Sequence, residues 1–430
     1  MSGNPLTRKF RALVEGSPAL QHVMTLISGT VLAQVVAVLL NIPLARIYTD
    51  YDYGLFTLFT SVVNVGYAIA GLRFDLAIML PKSDVAAKVV AKLARRSIVV
   101  MSFLFSAGCI LVSQWISSHY NSLVLARWMM ASGIAIFIMA EVQNIQYWLN
   151  RHSKYRGIAV NRFVQTVAVS AFQLVAAAFI SGVSGLVVGT ILGQLLALML
   201  IHRRAPELFT PLPKDAPSMR AMAKRYRKMP LLNGPNILVD AVRMNGINFL
   251  LANLSVGGLG QYNMANRMMM VPVGLIQGAI AQVFFQRMSQ VERGGLFPLV
   301  AATLKRLAVA STVAFAVIYA LAPWAFTFVF GEQWEPAGDL ARALTPWMFM
   351  MTLSSPVANL FVVTESQQAL LIFAIVYCAG PLLLLTLLNW ELLPTVKVLS
   401  LLMAALLICQ VLLALFTAKH WDRQAPPKEP

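Results

Sequence analysis

Asp240 and Arg243 stand one helical turn apart inside residues 231–254, a stretch otherwise apolar and long enough to cross a bilayer. Arg267 lies as deep in the next such stretch. A charge at mid-bilayer depth costs at least ~2.5 kcal/mol on insertion scales, so it normally faces a protein interior or a wet cavity where it has partners. A guanidinium there can hold an anion. A carboxylate there can neutralise that guanidinium, coordinate a cation, or exchange a proton when burial raises its pKa. These residues point to a polar path through a membrane protein.

Helical geometry, at about 100° per residue, says which polar side chains share a face. Asn233, Asn236, Asp240 and Arg243 fall within roughly 80°, and Asn263, Asn266, Arg267 and Gln277 within about 100°. Other apolar stretches add Thr30, Gln34 and Asn41 on one side of a helix, and Glu141 with Asn144 and nearby Trp148 on another. Arg73 and Asp75, two positions apart, point about 200° apart and should not pair. Asp75 shares its face with Asn64 and Gly71, while Arg73 is near enough to the helix end to snorkel. Two readings stand for each group. Asp240 and Arg243 are either a self-compensating pair or part of a ligand path, and Arg73 is either an interfacial anchor or a ligand contact. The Asn and Gln side chains are either interhelical glue or partners for hydroxyl-rich ligands. Arg267 has no acid in its own span, so its partner is on another helix, with Asp240 and Glu141 as candidates, or is an anionic ligand.

The elements that position these residues follow from composition. The chain has 430 residues, 58% hydrophobic and only 12% charged, against about 25% charged in a soluble domain. An all-α integral membrane protein is expected, with twelve spans near residues 22–47, 53–80, 97–118, 123–149, 157–180, 184–202, 230–254, 258–285, 307–330, 340–363, 367–389 and 395–418. The formal net charge of +17 is topological. If the N-terminus is cytoplasmic, 27 of the 34 Lys and Arg lie in loops and tails on one side: the tail with Arg8, Lys9 and Arg11, the loops 82–96, 151–162, 203–228 and 287–306, and the C-terminal tail. Four lie opposite, Arg46, Arg127, Arg342 and Lys397, and three are intramembrane. That is the positive-inside pattern, with both termini cytoplasmic. It removes nucleic acid as a partner, although the 203–228 loop could also bind anionic membrane lipid. Residues 1–17 are polar and basic, so no cleavable signal is expected. Cys109, Cys378 and Cys409 lie in different spans without ligand-like spacing, and no metal cluster, phosphate-cradling loop or nucleophile–base set can be assembled. No enzyme and no cofactor are expected.

The proline-rich connection 203–228 divides the spans six and six. The expected domains are an N-terminal six-helix bundle at 1–203, a cytoplasmic linker at 204–229, a C-terminal six-helix bundle at 230–420 and a tail at 421–430. Gly54 with Phe56 opens the second span and Gly260 with Tyr262 the eighth, 206 residues later; Leu125-Ala126-Arg127 and Leu340-Ala341-Arg342 match 215 residues apart. An even number of spans per unit makes the repeat parallel. Asn41-Ile42-Pro43, Asn233-Gly234-Pro235 and Val271-Pro272-Val273-Gly274 mark sites where these helices are expected to be irregular.

LARIYTDYDYGLF from Leu44, followed by GLRFDLAIMLPKSD from Gly71, resembles the opening hairpin of the Wzx-type polysaccharide flippases, within the multidrug/oligosaccharidyl-lipid/polysaccharide exporter superfamily. LGQYNMANRMMMVP from Leu259 and FGEQWEPAGDLARALTP from Phe330 resemble segments of that family's second half. The resemblance implies a twelve-helix transporter of two six-helix bundles, moving undecaprenyl-diphosphate-linked oligosaccharide to the periplasmic leaflet of the inner membrane by alternating access. Its partners would include the polysaccharide polymerase and glycosyltransferases. It implies a cationic cavity, which maps onto Arg243 and Arg267 with Arg46 and Arg73 as further contacts; Asn41, Asn233, Asn236, Asn263 and Asn266 would meet sugar hydroxyls. Coupling to Na+ or H+ would fall to Asp240, Asp75 or Glu141. A drug or metabolite cation antiporter of the same fold, and a non-transporting scaffold for polysaccharide assembly, are the alternatives.

Overall fold

The computed structural model describes residues 34–423 apart from Gln290, Glu292, Arg293, Asn359, Glu365 and Asn389. The N-terminal tail, Thr30 with the start of the first expected span, and the end of the C-terminal tail lie outside the described residues. The elements in chain order begin with α1 (Gln34–Ile47), α2 (Asp50–Ala70), the one-turn α3 (Phe74–Ala77), α4 (Asp84–Leu111), α5 (Ser113–His119), α6 (Leu123–Met130), α7 (Ser132–Arg151), α8 (Tyr155–Ala177) and α9 (Val183–His202). A 3-10 turn (Pro206–Phe209), α10 (Met219–Arg225) and a π-helical turn (Met229–Asn233) then lead to α11 (Gly234–Leu254). There follow α12 (Val256–Ser289), α13 (Leu296–Phe330), α14 (Glu335–Ala358), α15 (Leu360–Val363), α16 (Gln367–Leu387) and α17 (Leu392–Arg423). No strand occurs among the described residues.

Seven of these helices are long and apolar enough to cross a membrane, and α6 with α7, bent by 44°, makes an eighth when counted as one span. α12 and α14 are long enough but are not among them. Gln261, Asn263, Asn266 and Arg267 interrupt the apolar run of α12; Glu335, Asp339 and Arg342 do so in α14. The protein is a multi-pass, all-helical membrane protein.

The described residues form two compact units. One takes those up to Ile47 with Phe59–Val242; the other takes Tyr48–Leu58 with Arg243–Pro430. In the first unit the segment after α9 is docked. Leu208 is 3% exposed and sits in a core with Trp148, Ile201, Ala205 and Met222. Lys88 Nζ donates to Thr210 Oγ1, Lys92 Nζ donates to the Thr210 carbonyl at 3.0 Å, and Arg204 donates to the Gly157 carbonyl at 3.1 Å. Glu207 is the pivot, accepting from Lys154 Nζ at 2.9 Å and Trp148 Nε1 at 3.3 Å. Partial burial pulls its carboxyl upwards, but its own backbone amide, Lys154 and Trp148 together hold it below the usual carboxylate range.

In the second unit, α2 and α12 cross backbone to backbone. A Cβ built on Gly54 would stand 1.9 Å from the Val256 carbonyl oxygen, and one on Gly260 would stand 1.9 Å from the Asp50 carbonyl oxygen. The contact is reciprocal, because each glycine meets the carbonyl four residues before the other. Only glycine allows this approach. Gln261 locks the same crossing, donating to the Gln333 carbonyl at 2.7 Å and to Asp50 Oδ2 at 3.3 Å. Tyr53 meets the fully buried Trp334 edge-on at 5.2 Å.

Three expectations about helix continuity change. Residues 53–80 are not one helix: α2 stops at Ala70, and Leu72 (φ 46°) and Arg73 (φ 59°) adopt left-handed backbone before α3. The helical-wheel relation between Asn64, Gly71, Arg73 and Asp75 therefore does not hold across the break. By contrast, α1 and α12 run through Pro43 and Pro272 without ending, since a proline deletes one intrahelical hydrogen bond and neighbouring helices support the rest. At Asn233-Gly234-Pro235 the irregularity is present as the π-helical turn. Pro235 follows directly on this turn, inside a helix continuous from Met229 to Leu254, and its missing N–H removes one intrahelical hydrogen bond there.

Three outcomes are expected. Gly54→Ala or Gly260→Ala should destabilise the purified protein by about 1–3 kcal/mol or more through overpacking, whereas Gly108→Ala, with nothing within 4 Å of the added carbon, should be neutral or stabilising by about 0.5–1 kcal/mol; thermal unfolding in detergent separates the two. Arg73→Gly should be more stable than Arg73→Ala by about 1 kcal/mol, because only glycine takes the left-handed turn without strain. Glu207, with its folded pKa lowered, stabilises above its unfolded value of about 4.3, and this contribution is lost as pH falls through the folded value. Wild type should therefore exceed Glu207→Gln in stability by at most about 1 kcal/mol at neutral pH, with the gap closing once Glu207 is protonated in both states.

Candidate functional site

The polar side chains of α7 occupy two opposite faces. Glu141, Asn144 and Trp148 lie within about 60° of one another, while Gln143 and Gln146 point some 140–200° away from Glu141. Each face lines a separate cavity of the first unit. The second pair opens onto a cavity of about 380 Å³ bordered by Gln34 of α1, Tyr67 of α2, and Arg162, Gln165 and Thr166 of α8. Four carboxamides, a phenol, a hydroxyl and a guanidinium thus converge. Gln165 Nε2 donates to Gln194 Oε1 of α9, which steadies its amide. Arg162 is exposed, and its guanidinium makes no ion pair among the described residues. Tyr67 stands three residues before the end of α2 at Ala70, which places the break after α2 beside this cavity.

At that break Arg73 Nε donates to Asn233 Oδ1 at 3.0 Å, so two residues expected to act separately meet. The left-handed turn aims the guanidinium. Asp75 is 7% exposed, its Oδ1 lacks a hydrogen-bond partner, and no ion pair joins it to Arg73. Gly71 leaves room for the carboxylate, since a Cβ there would stand 3.2 Å from Oδ1. Asn41 is buried and Arg46 exposed at the end of α1; Asn236 and Asp240 are exposed on α11. Because Asn233 belongs to the π-helical turn, the stripe predicted for one continuous helix begins at Asn236 rather than at Asn233.

Glu141 faces the other way. It is 2% exposed, accepts from Asn144 Nδ2 at 3.3 Å and has Arg95 Nε at 3.4 Å.

In the second unit Arg243 stacks over Tyr377, its guanidinium carbon 4.9 Å from the ring centroid. The Tyr377 hydroxyl accepts from Trp347 Nε1 at 3.2 Å, and Phe373 stacks on the same ring at 5.4 Å. A cation over a desolvated ring is held by up to about 2 kcal/mol. On α12, Arg267 is exposed, Asn263 and Asn266 are half-buried, and Asn266 Oδ1 has no hydrogen-bond partner.

Sequence reasoning passed over Tyr67, Gln143, Gln146, Arg162, Gln165, Trp347 and Tyr377. In sequence Arg162 reads as a charge of the 151–162 loop, but α8 begins at Tyr155, two turns earlier. The glutamine pair was readable from its i, i+3 spacing on a helix already known to be polar.

Among the described residues no group of three or more His, Cys, Asp or Glu could hold a metal ion. A chemistry of binding and release fits this arrangement: fixed positive charge, amides that both donate and accept, and two buried carboxylates. The fold is shared with transporters of known structure. Over 92% of this chain and 87% of the other, it is similar to the lipid II flippase MurJ in an inward closed conformation, with a TM-score of 0.74 at 12% identity. It is also similar to a multidrug resistance MATE family transporter of the MOP superfamily in an inward-facing conformation (TM-score 0.59, 14% identity, 94% of this chain and 95% of that one). A third similar structure is a MOP superfamily transporter from Pyrococcus furiosus (TM-score 0.57, 13% identity, 93% and 95%). No curated protein matches the chain by sequence. A family model described as polysaccharide biosynthesis protein matches residues 43–339, more than half of the chain, and the chain belongs to that family.

Proposed function

We propose that this protein is a flippase that carries undecaprenyl-diphosphate-linked oligosaccharide from the cytoplasmic to the periplasmic leaflet of the inner membrane, for surface polysaccharide assembly. Twelve spans in two six-helix halves related by a parallel repeat would alternate access to the two sides, with both termini cytoplasmic. Family membership supports the polysaccharide, and the reciprocal Gly54–Gly260 crossing supports the repeat. The observation that carries the reading is the cavity in which Arg162, with no ion-pair partner among the described residues, is surrounded by Gln34, Gln143, Gln146 and Gln165. A diphosphate cannot cross hydrocarbon without compensating cations, and carboxamides suit sugar hydroxyls because they donate and accept at once. Arg73, Arg243, Arg267 and Arg46 would be further cationic contacts for the diphosphate. Buried Asp75, with Asp240, would couple transport to Na+ or H+; Glu141, expected to share that role, faces away from this cavity. An exporter of cationic drugs would instead need fixed negative charge in this cavity, where, among the described lining residues, only Arg162 carries a full charge.

Removing a charge-assisted contact to phosphate costs about 1.5–3 kcal/mol, or roughly tenfold or more in affinity. Arg162→Gln should therefore cut surface polysaccharide at least tenfold in cells that depend on this protein, with normal membrane expression, and Arg162→Lys should restore part of it. Full export by Arg162→Gln in well-expressed protein would sink the reading.

A further inference from the structure

The second polar face of α7 lines a cavity of about 670 Å³ closed by α4 and the docked segment after α9. Its floor holds two orphan acceptors. Glu141 Oε1 and Asn144 Oδ1 are both buried without a hydrogen-bond donor; Arg95 Nε lies 3.4 Å from Glu141 Oε1, near enough to attract, but its N–H does not point at that oxygen. Asn144 spends its own donors on the Ala91 carbonyl at 3.3 Å and on Glu141 Oε2. Acceptors left without a donor among the described residues call for a further one. Above the floor stand Lys92, Arg95 and Arg96. Arg95 is held over the Phe209 ring at 5.1 Å, which keeps its guanidinium in place without consuming its N–H groups. One helical turn beyond each arginine on α4 comes an exposed valine, Val99 at 51% and Val100 at 55%, so the cationic rim gives way directly to apolar surface of a candidate span.

Donor-hungry floor, cationic rim and apolar flank together describe a headgroup. We infer that this cavity seats a phospholipid whose headgroup carries both a phosphate and a primary ammonium. The ammonium donates to Glu141 Oε1 and Asn144 Oδ1, the phosphate accepts from Lys92, Arg95 and Arg96, and the acyl chains lie along Val99 and Val100. Charge complementarity selects this ligand over phosphatidylglycerol, whose headgroup hydroxyls can donate to the floor but bring no positive charge to Glu141. The seat faces away from the Gln143–Arg162 cavity on the opposite side of α7, so its test does not depend on the transported substrate.

Native mass spectrometry of the delipidated full chain, supplied with phosphatidylethanolamine or phosphatidylglycerol of matched chains, reads the preference directly. Wild type should retain phosphatidylethanolamine about tenfold better, and Glu141→Gln should bring the two lipids to near parity. Arg96→Gln, at an exposed position that leaves the floor intact, should weaken retention of both. Soluble phosphoethanolamine, which lacks the chains, should not displace the bound lipid at equal concentration. Equal retention of the two lipids by wild type, an unchanged preference in Glu141→Gln, or displacement by soluble phosphoethanolamine would each overturn the assignment; the wild-type comparison stands even if a variant fails to fold.

Discussion

A membrane helix with polar side chains on opposite faces can turn neither face to hydrocarbon, because each unsatisfied group there costs several kcal/mol. Ser132–Arg151 is such a helix. Its Glu141–Asn144 face needs α4 and the docked segment after α9, and its Gln143–Gln146 face needs α1, α2 and α8. Most of the first unit can be understood as the covering of these two faces. The covering is incomplete on both sides, and what remains open is one cavity rich in amides with an arginine at its edge, and another rimmed by three cations over a buried carboxylate.

The second unit is organised by the approach of two helix backbones. With no apolar driving force between helices inside lipid, close packing and hydrogen bonds must hold them, and at Gly54 and Gly260 the carbonyls of the opposite helix occupy the space where side chains would be. Gln261 and the Tyr53–Trp334 contact then fix the crossing laterally. Farther along, Arg243 stacks over Tyr377, whose hydroxyl is fixed by Trp347, so these two aromatic side chains position its charge without neutralising it.

Much of this was legible in the residues. Apolar runs and the lopsided distribution of Lys and Arg announce a multi-pass membrane protein, and Gly54 and Gly260 were visible as corresponding positions before their contact was known. Hydropathy could not register the end of α2, because residues 71–80 are as apolar as a continuing helix, and the left-handed turn at Leu72–Arg73 leaves no proline as a mark. That break makes Arg73 a partner of Asn233, which no helical wheel drawn through residue 73 would show. Arg162 was hidden for a related reason: a charge two turns inside a helix looks the same in sequence as a charge in the loop before it. Tyr377 and Trp347 read as ordinary apolar content, since sequence alone does not say which ring lies beneath which guanidinium.

The central claim is that the Gln143–Arg162 cavity holds the lipid-linked oligosaccharide. Its most direct test is Gln143→Cys, made with Cys109, Cys378 and Cys409 each replaced by alanine, and labelled by a small polar maleimide in nanodiscs. Undecaprenyl-diphosphate-linked oligosaccharide should slow labelling in proportion to its occupancy, while undecaprenol, lacking diphosphate and sugar, should leave the rate unchanged. Equal labelling with and without the oligosaccharide, at concentrations where binding is independently seen, would contradict the account.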